Sequence, residues 1–146
     1  MASRKFEYLP HTADMAFVAY GKDVRQALEN AAEALLGIML DTKRIKKAGG
    51  RPRSVAVKET SSSIENLVWY TLQKIVSTVD EKKLNAYKFS VKKLARRGGK
   101  YLVSGDLRYK SLKRDSFLLE VKAVTPYTLE IKEGTGGCSI RVLVDV

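Results

Sequence analysis

The sequence has few residues that can offer sulfur or imidazole ligands to a metal or form a disulfide. It contains one cysteine and one histidine among 146 residues. The single Cys138 excludes an internal disulfide and a cysteine-based zinc site. The single His11 excludes a site built from several histidines. No apolar run approaches the roughly 20 residues of a membrane span, and the first residues contain no apolar stretch of signal-peptide length. We therefore expect a cytoplasmic protein that does not contact a membrane.

Acidic residues are also scarce. The chain contains 16 Asp and Glu against 27 Lys and Arg, which gives a formal net charge of +11. This excess favours an acidic partner such as RNA, DNA or an anionic protein face, without choosing among them. The apolar content of 45% and the charged content of 29% are typical of a folded globular chain. The length predicts one domain over residues 1–146.

Two segments carry apolar residues at helical spacing. The first begins at Asp23, whose side chain can cap the first turn, and runs to about Asp41. The second follows Ser62, which forms a capping-box pattern with Glu65. The sequence therefore predicts two amphipathic helices in the first 80 or so residues.

The rest of the chain alternates between short apolar runs and turn residues. The Gly98–Gly99 pair is a hairpin signal, and residues 134–137 form a second one. Residues 43–53 are basic and contain Gly and Pro, which predicts a loop. The strands are predicted at residues 6–9, 15–20, 54–58, 87–91, 101–109, 117–124, 127–132 and 139–144. This order predicts an α+β fold, with two helices packed on one face of a largely antiparallel β-sheet.

Three acidic positions, Asp14, Asp41 and Asp145, are candidates for a metal site. Asp145 stands beside the carboxylate of Val146, which adds oxygen atoms, and His11 is a possible contributor close to Asp14. Carboxylate and carbonyl oxygens suit a hard divalent cation such as Ca²⁺, Mn²⁺ or Mg²⁺. From spacing alone, acids that cap a turn or stay solvated are the simpler interpretation, since exposed acids are the rule.

Two basic pairs, Lys46–Lys47 and Arg96–Arg97, are candidates for a surface that meets RNA or an anionic partner. Single-stranded RNA binding also needs exposed aromatic rings for base stacking. The alternation of the strands places several nearby rings inward, and no phosphate-loop signature is present. A solvated basic surface is the alternative interpretation.

Three stretches taken together resemble the archease family, small modulators of the tRNA-splicing ligase. The first is residues 6–14, with its His-Thr-Ala-Asp core, and the second is the helical segment 27–41. The third combines residues 120–125 with residues 142–146, which end in Asp-Val. The resemblance covers essentially the whole chain. It departs from the family pattern at Pro126 and Tyr127, where relatives often have a histidine after the threonine.

The resemblance implies a metal site in which Asp14 and Asp145 supply carboxylates and Val146 supplies main-chain or terminal oxygens. Asp41 is a further ligand by position. The implied function is activation of an RtcB-type RNA ligase, which becomes charged with GMP from GTP in a metal-dependent step. The family promotes this guanylylation and repeated turnover, and can broaden nucleotide use, without performing the ligation. tRNA or another RNA would take part indirectly, through the ligase.

Two other functions are compatible with the residues. One is a stand-alone basic module that binds RNA, or acts like a chaperone on RNA-processing proteins. Such a module would bind RNA with a steep salt dependence in the absence of any ligase. The other is a metal-dependent hydrolase that uses Asp14, Asp145 and His11, which would need a pocket for its substrate.

Overall fold

The computed structural model describes residues 4–10, 14–126 and 128–146. These residues contain eight strands and three helices. In chain order the elements are β1 (Phe6–Leu9), β2 (Met15–Gly21), α1 (Val24–Met39), α2 (Thr42–Lys47), β3 (Arg53–Ser61), α3 (Ile64–Lys82), β4 (Asn85–Arg97), β5 (Lys100–Lys110), β6 (Ala123–Val124), β7 (Glu130–Gly134) and β8 (Gly137–Asp145).

The strands form two antiparallel sheets. The five-stranded sheet has the order β1-β2-β8-β6, and β7 also pairs with β8. The three-stranded sheet has the order β3-β5-β4. In β8 the buried side chains are every second residue, namely Cys138, Ile140, Val142 and Val144. This period of two shows that one face of the sheet packs on the core and the other faces outward.

Helix α1 lies between the two sheets. It contacts β2 and β8 of the five-stranded sheet and β4 of the three-stranded sheet. Its buried residues cover a broad side of the helix, and Gln26, Glu29, Asn30 and Glu33 lie on the other side. The buried residues are Ala27, Leu28, Ala31, Ala32, Ala34, Leu35, Leu36, Ile38 and Met39. Helix α3 packs on β3, β5 and β6. The buried apolar residues of both sheets and all three helices join into one hydrophobic cluster.

The predicted α+β class and the antiparallel strands are confirmed, and the helices pack against two sheets where the sequence predicted one. The cap of α1 is confirmed, because the Asp23 carboxylate accepts from the backbone N–H of Gln26 at 2.9 Å. The cap of α3 is one residue later than predicted. The hydroxyl oxygen of Ser63, and not that of Ser62, accepts from the N–H of Asn66 at 3.1 Å.

Two segments differ from the prediction. Residues 43–53 were expected to form a loop, yet α2 occupies the first part, with Ile45 fully buried. Residues 117–124 were expected to form a strand, yet only β6 at their end is regular. The reason is that the N–H of Leu118 donates to the carbonyl of Met39 at 2.8 Å, so this segment satisfies the end of α1.

The β4–β5 hairpin follows the prediction closely. Gly98 and Gly99 have φ values of 56° and 78°, which are the left-handed conformations that a tight hairpin turn requires. The pairing shifts register on either side of Tyr87 and again around Lys92, which marks two bulges in β4. None of the three described helices is long and apolar enough to cross a membrane.

Candidate metal centre

Asp14 and Asp145 lie at the same edge of the five-stranded sheet. Strand β2 begins at Met15, which pairs with Val144 of β8. Asp14 directly precedes Met15 and Asp145 directly follows Val144, so the two acids lie one step beyond this pair. Directly opposed residues in an antiparallel pair have Cβ atoms about 5 Å apart. Two acidic residues that are distant in the sequence therefore flank the same pair of residues in β2 and β8.

The backbone around Asp145 is held on its second side by β6. Ala123 pairs with Asp145, and Val124 pairs with Val144. The N–H of Lys122 donates to the carbonyl oxygen of Asp145 at 2.8 Å. The side chain of Asp145 is exposed, whereas Asp14 is half-buried. The carboxylate of Asp145 thus stands on a fixed backbone and reaches solvent.

Helix α3 anchors this edge through two side chains. The indole N–H of Trp69 donates to the carbonyl of Val124 at 2.6 Å. The side-chain oxygen of Gln73 accepts from the N–H of Val124 at 2.9 Å. Neither side chain belongs to the candidate site residues that the sequence indicated. The sequence did contain one signal for the Trp69 contact, because a tryptophan in a packed position usually finds a hydrogen-bond partner for its indole N–H.

The donor atoms at this edge fit a hard cation. Two carboxylates placed side by side repel each other, and a divalent cation between them removes that repulsion. Val146, which is half-buried and packs on the core, brings main-chain oxygen atoms next to Asp145. Ca²⁺ and Mg²⁺ take oxygen ligands, and water completes their coordination. Nowhere in the described part of the chain do three or more His, Cys, Asp or Glu side chains gather into a metal-binding group.

Asp41 has a different structural role. Its carboxylate caps α2 by accepting from the N–H of Arg44 at 3.1 Å, and its own N–H donates to the carbonyl of Ser116 at 2.8 Å. Because no three-residue group is present among the described residues, the structure does not bring Asp41 together with Asp14 and Asp145. His11, the possible contributor, and Tyr127 lie outside the described residues.

The two basic pairs do not form the single surface that was expected. Lys46 and Lys47 belong to α2, beside the Asn85 end of β4, since the Lys46 carbonyl accepts from Lys110, which pairs with Asn85. Arg96 and Arg97 lie at the far end of β4, opposite Tyr101 and Lys100 of β5, which is roughly 30–33 Å from the Asn85 end at about 3.3 Å per residue of β5. In this strand they also point to opposite faces. The Arg96 guanidinium stacks over the ring of Tyr101, 5.3 Å from its centroid.

Other reactive side chains are engaged in structure. Cys138 is buried, and this burial raises the pKa of its thiol. A groove of about 280 Å³ lies between the ends of α1 and α3 and residues 117–121. Its lining includes Asp80, Lys83 and Glu120, but neither Asp14 nor Asp145. The groove therefore lends no support to a hydrolase built on these two carboxylates.

Comparison with known proteins gives one consistent match. The sequence model of the archease protein family matches residues 6–146. The protein archease of Methanosarcina mazei is 34% identical over 147 residues, covering 98% of this chain and 97% of that protein. The protein archease of Sulfolobus acidocaldarius is 28% identical, with coverage of 97% and 99%.

Solved structures show the same fold. The solution structure of protein 1598 of Methanobacterium thermoautotrophicum superimposes with a TM-score of 0.79 at 28% identity, covering 97% of this chain and 99% of that one. A crystal structure from Thermotoga maritima, described as an archease and possible chaperone, gives a TM-score of 0.55 at 18% identity. It covers 94% of each chain, and at this identity it supports the fold alone.

Proposed function

Because this chain belongs to the archease family, we propose that it is an accessory protein that activates an RtcB-type tRNA-splicing RNA ligase. In this proposal it promotes transfer of GMP from GTP onto the ligase and allows repeated turnover, and it broadens the nucleotides that the ligase accepts. It does not join RNA ends itself, and tRNA is engaged through the ligase. The observation that supports the proposal is the pairing of Met15 with Val144, the neighbours of Asp14 and Asp145, in a chain matched by the family over residues 6–146.

The carboxylates of Asp14 and Asp145, with the main-chain oxygens of Val146, would hold one divalent cation. Ca²⁺, Mn²⁺ and Mg²⁺ all suit this oxygen-only donor set. When bound, such a cation supplies positive charge that can neutralise nucleotide phosphates.

The surrounding protein holds the ligands of this site in position. Strand β6 fixes the backbone of Asp145, and Trp69 and Gln73 fix β6 by binding both polar backbone groups of Val124. The rigid backbone keeps the two carboxylates at the separation of a paired strand. A site formed at the end of a sheet is open to a docking protein, which suits an accessory role better than an enclosed catalytic pocket.

The test is GMP transfer onto the ligase from the same organism, measured with GTP and Mn²⁺. Asp14→Asn and Asp145→Asn keep side-chain volume but remove the charge that a cation requires. We expect the wild-type chain to stimulate transfer and each variant to lower the rate to that of the ligase alone. Asp80→Asn is the matched control, because Asp80 is an exposed acid on α3. Among the described residues, it forms one ion pair, with Lys83 at 3.5 Å.

Two results would contradict the proposal. Full stimulation by both Asp14→Asn and Asp145→Asn would remove the role of the carboxylate pair. Absence of stimulation by the wild-type chain would remove the accessory role itself. Thermal unfolding of each variant shows whether a loss of stimulation reflects the site or a loss of folding.

A further inference from the structure

The outward face of the three-stranded sheet carries an unusual density of positive charge. We call this surface the basic face and define it by six exposed cationic residues, all in β3, β4 or β5: Lys58, Lys88, Lys92, Lys93, Arg97 and Arg108. Lys100, opposite Arg97 beside the hairpin turn, adds a seventh cation. The inward face of the same strands holds core residues such as Val57 and Leu107. The alternation of the strands therefore segregates the cations onto the side away from the helices.

The charges form rows across the sheet. Arg108 of the central strand β5 lies opposite Lys88 of β4, and Ser104 of β5 lies between Lys58 and Lys93. Four residues separate the two rows along β5, which corresponds to about 13 Å. Ser54 of β3 completes the row of Arg108 and Lys88. Between the two rows, Asp106 of β5 lies opposite Ala56 of β3 and Ser90 of β4, whose side chains are small.

Few acidic side chains neutralise the positive charge of the basic face. Within β3, β4 and β5, which the structure describes in full, Asp106 is the one acidic side chain on this side of the sheet. It forms an ion pair with Lys92 at 3.1 Å. Among the described residues, no carboxylate lies within ion-pair distance of the remaining five cations that define the face. Such a surface attracts a polyanion.

We propose that the basic face binds the phosphodiester backbone of a nucleic acid. Protein interfaces are enriched in aromatic residues, Met and Arg and depleted in Lys, whereas four of the six defining residues of this face are lysines and no exposed aromatic ring lies in β3, β4 or β5. The same lack of rings argues against stacking of unpaired bases. A flat array of lysines fits phosphate contacts that position a duplex and carry no sequence information. This inference does not depend on the proposed function.

The expected binding is weak in sequence preference and strong in salt dependence. If each of the five cations without an ion pair contacts one phosphate of a duplex, the slope of log K against log salt concentration is about −4.5. Between about 50 and 200 mM salt the affinity then falls by about 500-fold. If the basic face is only a solvated surface, the chain binds no duplex at either salt concentration.

The experiment is a fluorescence anisotropy titration of a labelled 20-bp RNA duplex with the full chain, repeated at several NaCl concentrations. The face variant combines Lys58→Glu, Lys88→Glu and Lys93→Glu. The control variant combines Lys47→Glu, Lys82→Glu and Lys132→Glu, which are exposed positions off the basic face and change the net charge equally. We expect about 100-fold weaker binding and a slope smaller by about 3 for the face variant, with a change below about 5-fold for the control.

Several results would overturn the proposal. Equal weakening of both variants would assign the binding to net charge, and no binding by the wild-type chain would remove the site. Equal affinity for polyglutamate of the same charge would indicate an acidic protein as partner. A DNA duplex of the same sequence identifies the source: equal affinity supports recognition of phosphate alone, and preference for RNA supports recognition of the A-form backbone. A Lys→Gln version of the face variant replaces the Glu version if the latter unfolds.

Discussion

At the scale of single residues, the clearest electrostatic feature is the pair formed by Glu7 and Tyr20 on the outer face of the five-stranded sheet. The hydroxyl of Tyr20 donates to the carboxylate of Glu7, and this hydrogen bond is the main reason why the pKa of Glu7 is lowered. Arg4, 2.9 Å from the same carboxylate, acts in the same direction. The bond links β1 to β2 toward the end of β2 that lies away from Asp14.

Replacing Tyr20 by Phe should raise the pKa of Glu7 toward its ordinary value, because the main stabilising partner of the ionised form is lost. A lowered folded-state pKa stabilises the protein above the unfolded pKa of the group, and this contribution is lost as the pH falls through the folded pKa. The wild-type chain should therefore exceed Tyr20→Phe in stability at neutral pH, with the difference shrinking in acid. An NMR titration of the Glu7 carboxyl carbon, with urea unfolding at pH 7 and pH 3, measures both effects.

The exposed Tyr70 on α3 supplies the control for this measurement, because Tyr70→Phe removes a hydroxyl remote from Glu7. If the pKa of Glu7 in Tyr20→Phe equals that of the wild type, the hydrogen bond is not its cause.

Residue-level prediction from the sequence failed where strand geometry decided. The Asp14 and Asp145 pair came from the resemblance and stays a prediction, and the structure pairs their neighbours Met15 and Val144. Arg96 and Arg97 were grouped because they are adjacent in sequence. In a strand, adjacent side chains point to opposite faces, so adjacency separates them. The basic face was missed because its rows depend on strand pairing and on the bulges in β4, which no local pattern reveals.

At the scale of elements, the N-terminus of α3 offers a sharp test, because two consecutive serines differ in role. Ser63→Ala removes the acceptor for the N–H of Asn66 and should lower the free energy of unfolding by about 1 kcal/mol. Ser62→Ala, at the exposed position that the sequence favoured, should change it by no more than a few tenths of a kcal/mol. Urea unfolding of both variants at pH 7 makes the comparison. A larger loss for Ser62→Ala would move the cap back to the predicted residue.

The elements that the sequence predicted well are those specified by their own periodicity. Helices α1 and α3 and strand β8 each carry enough apolar residues at one spacing to define their type. Helix α2 has six residues and is stabilised by residues that are distant in the sequence. Lys110, itself buried, donates to the carbonyls of Lys46 and Ala48 and so satisfies the end of this helix. Such partners are distant in sequence, which explains why the segment was predicted to be a loop.

At the scale of the whole molecule, the net charge of +11 opposes the folded state by self-repulsion. Raising NaCl from about 0.01 to 0.15 M shortens the Debye length from about 30 to 8 Å. Screening should therefore raise the unfolding temperature, by about 3 °C if the repulsion it removes is about 1 kcal/mol. Scanning calorimetry measures this shift. The Lys58→Glu, Lys88→Glu, Lys93→Glu variant should show a smaller rise, and a falling unfolding temperature in the wild-type chain would contradict the argument.

The two candidate surfaces belong to different sheets of one core. The carboxylate pair lies at the edge of the five-stranded sheet, and the basic face covers the outside of the three-stranded sheet, with α1 between the sheets. Substitutions on one surface touch no side chain of the other. The proposed ligase activation and the proposed binding of nucleic acid can therefore be tested separately by mutation.

The contact between Trp69 and Val124 has a practical consequence. Trp69 is the one tryptophan of the chain, and its indole N–H is bonded to the strand that pairs with Asp145. The emission of an indole depends on its hydrogen bonding and on the polarity around it. The unlabelled protein thus carries its own optical reporter beside the proposed cation site. Titration with Ca²⁺ can be followed in real time by intrinsic fluorescence. Docking of a ligase can be followed in the same way when the ligase's own tryptophan emission does not change.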